Sequence, residues 1–344
     1  MAWLTGWTYR KTITLSRASG AVSNYQMKLL VGESAGAAGE DVDCNSHCQT
    51  DFDDLRFTNA AGTVLDYWIE SITGTTPNQL AIVWIEFDSI GTGATTFYMY
   101  YGNAAATAVS SGANTFITFD DFERGSDGDT VGGSWTEVAA HCHISTEQDI
   151  GNVAGYTGTR AMKLIGDSSV QPMASIPVAP SANIAIRWRT YKEDAAFLEI
   201  LHGDGDHAVV LYAETSEQID YYDGHTKDTG KDCAADAWDL WELTTFNWTT
   251  NTFTLTFNGA SVTGLTTYAT ASYANIVRFA APLTTGQDVW IDDFIVRNWV
   301  ATEPAWGSWG SEVAIWPHTF LGVAEPAAVL GIANAQIDEV LGVS

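Results

Sequence analysis

Phe253-Thr-Leu-Thr-Phe257 alternates strictly between apolar and polar residues and runs into Asn258-Gly259, after which Ala260 to Gly264 continues the stretch. A period of two puts Phe253, Leu255 and Phe257 on one side of a pleated strand and both threonines on the other. Asn-Gly is the residue pair that best tolerates the positive φ of a two-residue hairpin turn. The segment therefore reads as a β-hairpin with one buried face. The same reading extends outward to Ile184-Ala-Ile-Arg-Trp-Arg-Thr190, Phe197-Leu-Glu-Ile-Leu201 and Ala208-Val-Val-Leu-Tyr212. Nearer the N-terminus it covers Lys11–Leu15, Gln26–Val31, Leu55–Thr58, Val64–Ile69, Ala81–Phe87 and Thr96–Tyr101, with a turn signal at Asn59-Ala-Ala-Gly62. No segment carries a helical period. Short strands separated by turns indicate sandwiches or jelly rolls rather than a parallel α/β sheet.

The expected fold class is therefore all-β, with two β-sandwich (jelly-roll-like) domains in series. The first spans 1–116 and the second 117–300. Residues 301–344 are expected to be an aromatic linker followed by a tail. Composition agrees: 14 Trp, 13 Tyr and 14 Phe suit strands, and 31 Gly suit frequent turns. The tail repeats Leu321-Gly-Val323, Leu330-Gly-Ile332 and Leu341-Gly-Val343 among alanines, with Glu325, Asp338 and Glu339 as its only charges. Short apolar units that cannot bury their own faces favour docking on a neighbour. The tail is expected to hold the chain to copies of itself or to other assembly subunits.

Fifteen Lys and Arg against 42 Asp and Glu leave a net charge of −27. Phosphate backbones and anionic membranes repel such a surface, so nucleic acid is not an expected partner. No apolar stretch approaches the roughly 20 residues of a membrane helix, and no membrane insertion is expected. Met1 leads straight into strand-like sequence without a basic and apolar leader, which suggests a replaced leader or release by lysis. The expected location is extracellular, on a virion or cell surface. Cys44, Cys48, Cys142 and Cys233 divide two and two between the domains. That division favours Cys44–Cys48 and Cys142–Cys233 disulfides. A zinc reading competes, since His47, His141 and His143 adjoin them, but Cys-x3-Cys lacks a second half.

Trp7-Thr-Tyr-Arg-Lys11, Asp54-Leu-Arg-Phe-Thr58, Tyr67-Trp-Ile-Glu70, Val83-Trp-Ile85 and Tyr98-Met-Tyr-Tyr-Gly-Asn103 occur in that order over about 100 residues. In these residues the first domain resembles an uncharacterised domain of prokaryotic and phage surface proteins. The resemblance implies a β-sandwich and brings no activity. If the pattern is core, Arg56 and Glu70 are expected to form an internal ion pair. Phe119-Asp-Asp-Phe-Glu123, Trp135 and Val289-Trp-Ile-Asp-Asp-Phe-Ile-Val296 make the second domain similar to concanavalin-like or laminin-G-like jelly rolls. That resemblance implies adjacent first and last strands, with Asp120, Asp121, Glu123, Asp292 and Asp293 as candidate calcium ligands. Carboxylates can supply the six to eight oxygens calcium takes. The tail resembles short Leu-Gly-Val tails of phage structural proteins.

Glycosidases on concanavalin-like scaffolds need two carboxylates on one strand face. Glu199 has Leu201 and Gly203 at the matching positions, so no partner joins it. Neither a Gly-x-Ser-x-Gly elbow nor a His-Glu-x-x-His motif occurs. The expectation is a non-catalytic structural and adhesive protein that contacts glycans; the alternative is a secreted, calcium-dependent carbohydrate-binding module. Tyr221, Tyr222, Asp223, Trp238 and Trp241 form the expected sugar site, because sugars stack on rings while acidic groups accept their hydroxyls.

Overall fold

The computed structural model describes residues 3–37, 39–138, 140–181, 183–193, 198–203 and 206–315, with short strand pairs between 319 and 333. It is almost entirely β-structure and divides into two units, 1–115 with 302–344, and 116–301.

In the first unit, Tyr9–Ser16 pairs antiparallel with Thr95–Tyr101, which pairs in turn with Arg56–Asn59 and, beyond it, Val64–Leu65. The facing sheet is built from Val42–Asp43, Val22–Gly32, Leu80–Ile90 and Tyr67–Thr73. Ile13, Leu15, Phe57, Phe97 and Met99 from one sheet, and Leu29, Val31, Val83, Ile85 and Phe87 from the other, are all buried. The run read as Val64–Ile69 is split. Val64–Leu65 stays in the first sheet, and after Asp66 the chain enters the second as Tyr67–Thr73.

The stretch expected as a linker is not one. Ala305–Trp306 and Val313–Ala314 both pair with Tyr9–Ser16, so the first sandwich is assembled from both ends of the chain. Its physical reason is an open strand edge that needs hydrogen bonds, and an aromatic residue, Trp306, whose ring packs 5.8 Å from Phe87. Beyond it, Thr319–Phe320 pairs with Val323–Ala324, and Ala328–Val329 with Ile332–Ala333. These pairs flank the first two Leu-Gly dipeptides. The third repeat lies outside the described residues.

In the second unit a seven-stranded sheet runs in the order Thr136–Glu137, Met173–Ser181, Ala274–Ala280, Leu198–Gly203, Asp206–Ala213, Gln218–Tyr222, Thr226–Asp232. The opposing sheet runs Cys142–Ser145, Ala161–Leu164, Val289–Asn298, Ile184–Lys192, Trp238–Asn247, Thr252–Phe257, Ala260–Thr266. Thr118–Asp120 pairs with Val289–Asn298, so the first and last strands of this unit lie side by side. Trp188, Trp241, Leu243, Leu255, Val209, Leu211, Ile219 and Phe279 form its core. The hairpin at 252–266 closes on Asn258 and Gly259 with φ of 45° and 81°, as the Asn-Gly pair requires.

The family-like residues of the first unit are structural. The buried Asp54 carboxylate accepts backbone N–H groups from Gln49 (3.0 Å), Gly102 (2.7 Å) and Asn103 (3.1 Å). Trp7 donates its indole N–H to the Asp54 carbonyl at 2.6 Å. Gly102 has φ +81°, and a Cβ there would meet Tyr9 at 2.5 Å. The expected Arg56–Glu70 ion pair does not form. Arg56 donates to the carbonyls of Asp53, Leu55 and Thr107 and to the Tyr67 hydroxyl, while Glu70 accepts the Trp84 indole N–H at 2.8 Å. The guanidinium fork is spent on nearby carbonyls before a carboxylate can reach it.

Candidate functional site: a tyrosine face

On Asp206–Ala213 the side chains of Val209, Leu211 and Ala213 enter the core, and on Gln218–Tyr222 those of Ile219 and Tyr221 do the same. Alternation therefore turns Tyr212, Asp220 and Tyr222 to the opposite, outward face of the seven-stranded sheet. Tyr212 pairs directly with Asp220, and Asp220 with Asp228 on the next strand. Tyr222 lies diagonal to Tyr212, within reach of a large ring. Tyr268 joins them from the chain that leaves Ala260–Thr266, held by its backbone N–H to the Ala208 carbonyl at 2.9 Å. Its ring stands 5.2 Å from Tyr222 and 6.4 Å from His207. Tyr268 is 44% exposed, while Tyr212 and Tyr222 are half-buried.

Beside the rings sits a polar group without a full complement of partners. Asp220 is only 8% exposed; Gln218 hydrogen-bonds to its carboxyl, and among the described residues its Oδ1 accepts no hydrogen bond. Burial, then the neighbouring Asp228, raises its carboxyl above the usual carboxylate range. Burial also raises the Tyr212 phenol, reinforced by Tyr222, Glu214 and Tyr268. A buried acceptor short of a donor, under a set of rings, suits a hydroxylated ligand with an apolar face.

Only Tyr222 of the expected sugar residues lies on this face. Tyr221 points the other way and packs edge-on to Phe253. Trp241 is fully buried, stacked on Trp188 at 5.8 Å and packed against Phe257 at 4.9 Å. Trp238 belongs to the opposing sheet, where it meets Tyr191 at 5.8 Å. Asp223 is committed to a short ion pair with Lys227 and to the Thr266 hydroxyl at 2.6 Å, and these bonds lower its carboxyl. The five residues are close in sequence but divided between two sheets and two faces. Tyr212 and Tyr268 were missed. The alternation of Ala208-Val-Val-Leu-Tyr212 could have signalled the first, but Tyr268 comes from the other sheet.

The carboxylates expected to hold calcium accept hydrogen bonds from the protein itself. Asp120 accepts the Phe122 N–H (2.8 Å), the Arg124 guanidinium (2.5 Å) and the Trp135 indole (2.7 Å). Glu123 accepts from Thr159 and Arg160, and Asp293 pairs with Arg189 at 3.1 Å. Asp292 accepts the Ile150 and Asp293 N–H groups, and burial, then Asp293, holds its carboxyl well above the ordinary range. Asp121 accepts the Glu123 N–H at 3.3 Å and is raised by burial. Arginines pair with three of the five, Asp120, Glu123 and Asp293. Among the described residues no three His, Cys, Asp or Glu side chains are arranged to hold a metal.

All four cysteines are free thiols. Cys142 donates to the Met173 carbonyl and Cys233 to the Glu217 carbonyl, at 3.3 and 3.2 Å. The Met173–Ser181 and Gln218–Tyr222 strands are separated by four strand spacings of about 4.8 Å, beyond the roughly 7 Å Cα separation a disulfide allows. Burial raises both thiols to about 12. The Cys44 thiol is hydrogen-bonded with Cys48 and is likewise raised, chiefly by burial.

Residues 51–138 match the family model of DUF2341, a domain of unknown function. The match includes Asp54–Thr58, Tyr67–Glu70 and Tyr98–Asn103, and it crosses from the first unit into the second. A search of curated proteins finds no match. Among solved structures, a sialidase is similar at 9% identity and a TM-score of 0.40, over 59% of this chain and 20% of that one. The chain thus spans about a fifth of that protein. A carbohydrate esterase from Shiga toxin-encoding bacteriophage phi24B is similar at 13% identity and a TM-score of 0.36, over 48% of this chain and 91% of that one. The carbohydrate-binding module CBM66 from Bacillus subtilis overlaps 48% of this chain and 96% of its own length, at 7% identity and a TM-score of 0.32. No helix among the described residues is long and apolar enough to cross a membrane.

Proposed function

We propose that the protein is a non-catalytic surface component that binds glycans through its second sandwich and joins a larger assembly through its C-terminal tail. One observation carries the glycan reading: Tyr212, Tyr222 and Tyr268 gather on an outward sheet face beside Asp220, whose Oδ1 is buried without a partner. Rings take the apolar face of a sugar, and the carboxylate oxygen takes one of its hydroxyls. The acidic surface, of net charge −27, opposes unspecific adhesion to nucleic acid or anionic lipid.

A glycan screen of the full chain followed by calorimetry tests the reading. Tyr222→Ala and Tyr268→Ala are each expected to weaken binding of a bound oligosaccharide about tenfold, or ~1.4 kcal/mol, with unchanged circular dichroism. Full affinity in the double variant would place the glycan elsewhere. The assembly part has its own test. Light scattering of the full chain is expected to give a defined oligomer, and a chain ending at Trp316 a monomer. Monomers in both cases would remove self-assembly through the tail.

A further inference from the structure

In the first sandwich, Arg10 is held by aromatic rings, whereas several other cations of this strongly acidic chain are held by carboxylates. Lys11 pairs with Asp43, Arg124 with Asp120, Lys163 with Asp288, Arg189 with Asp293 and Arg297 with Glu242. Arg10 makes no ion pair among the described residues, in a molecule of net charge −27. It is held by rings instead. Its guanidinium carbon lies 4.2 Å from the Trp3 ring, 4.6 Å from Tyr98 and 5.7 Å from Tyr100. Nη1 donates to the Tyr100 hydroxyl at 3.0 Å. Trp3 is itself fixed by its indole N–H on the Trp7 carbonyl at 2.7 Å, and it meets Tyr100 edge-on at 5.7 Å.

Strand register explains the cluster. Ile13 and Leu15 of Tyr9–Ser16 enter the core, so Arg10, Thr12 and Thr14 face away from it. Arg10 pairs with Tyr100, Thr12 with Tyr98 and Thr14 with Thr96, so rings and hydroxyls alternate on this side of the sheet, with Tyr100 itself buried beneath Arg10 and Trp3. Trp3, Arg10 and Tyr98 are all half-buried rather than covered. The rings flank the guanidinium, while among the described residues one of its five N–H donors has a protein acceptor. A planar fork with idle donors, already ordered, matches a carboxylate bidentately. The surrounding negative field disfavours a polyanion, but a ligand with isolated carboxylates on otherwise uncharged rings meets the arginine locally.

We infer that this face of the first sandwich binds a carboxylate-bearing saccharide, with Arg10 taking the carboxylate and Trp3 and Tyr98 lining its ring. The site is independent of the tyrosine face, so either can fail alone. The probe is an oligogalacturonate, compared with its uncharged methyl ester, titrated into the full chain by calorimetry. The acid is expected to bind at least tenfold more tightly than the ester. Arg10→Gln removes that preference, Arg10→Lys keeps a reduced one, and Tyr222→Ala with Tyr268→Ala leaves it unchanged. Equal affinities of acid and ester for the unaltered chain, or no binding of either, overturn the inference without needing any variant. So does an acid preference that survives Arg10→Gln, or one that disappears in the tyrosine double variant.

Discussion

Trp241→Ala is expected to lower the unfolding free energy of the second sandwich by about 3–5 kcal/mol while leaving glycan affinity unchanged in the folded fraction. The indole is 0% exposed, stacked on Trp188 and braced by Phe257. Removing it from the middle of two sheets opens a cavity that neighbouring strands, tied by ladder hydrogen bonds, cannot close. Urea unfolding followed by hydrogen exchange in the Ile184–Lys192 and Trp238–Asn247 strands reads the loss. A variant with unaltered stability and abolished glycan binding would return Trp241 to the ligand, against its buried position. Trp238, on the other face of the same strand, is the internal control, and its replacement is expected to cost less.

The second large effect belongs to the first sandwich. Asp54→Ala is expected to cost about 3–5 kcal/mol, because it removes a carboxylate that is 0% exposed and accepts from three partly buried backbone N–H groups, on Gln49, Gly102 and Asn103. Asp54→Asn keeps one acceptor but sets an amide N–H₂ against donors, so it recovers only part of the loss. The measurement is hydrogen exchange at Gly102 and Asn103 together with the denaturation midpoint of this unit. Fast exchange at both amides with little change in Tyr9–Ser16 would show that the carboxylate orders the loop alone. Global loss would show that the loop holds the sandwich together.

These two residues mark where sequence reading succeeds and where it stops. Asp54 and Trp241 are both visible as members of patterned segments, and the pattern correctly yields strands at 253–257, 184–190 and 96–101. Alternation also separates inward from outward positions along one strand. It does not reveal which strands become neighbours. Tyr221, Tyr222 and Trp238 are near one another in the chain, yet the first two lie on one sheet and Trp238 on the other. Tyr268 reaches Tyr222 only because the chain crosses between sheets after Thr266.

Charge follows the same division. The acidic balance can be summed from composition alone. The fate of each carboxylate cannot. Asp120, Glu123 and Asp293 are consumed by arginines and backbone N–H groups that long-range pairing brings to them, while Asp220 keeps an oxygen unspent.

The amino-acid sequence by itself determined the all-β class, the position of the Asn258-Gly259 hairpin and the alternation that separates the two sides of each strand, because these depend on φ preferences and a two-residue period. Only the tertiary structure decided that 302–315 complete the first sandwich, that Trp241 is core, and that Tyr212, Tyr222 and Tyr268 share a surface. Those outcomes depend on strand order and sheet crossing, which arise from pairing between residues far apart in the chain.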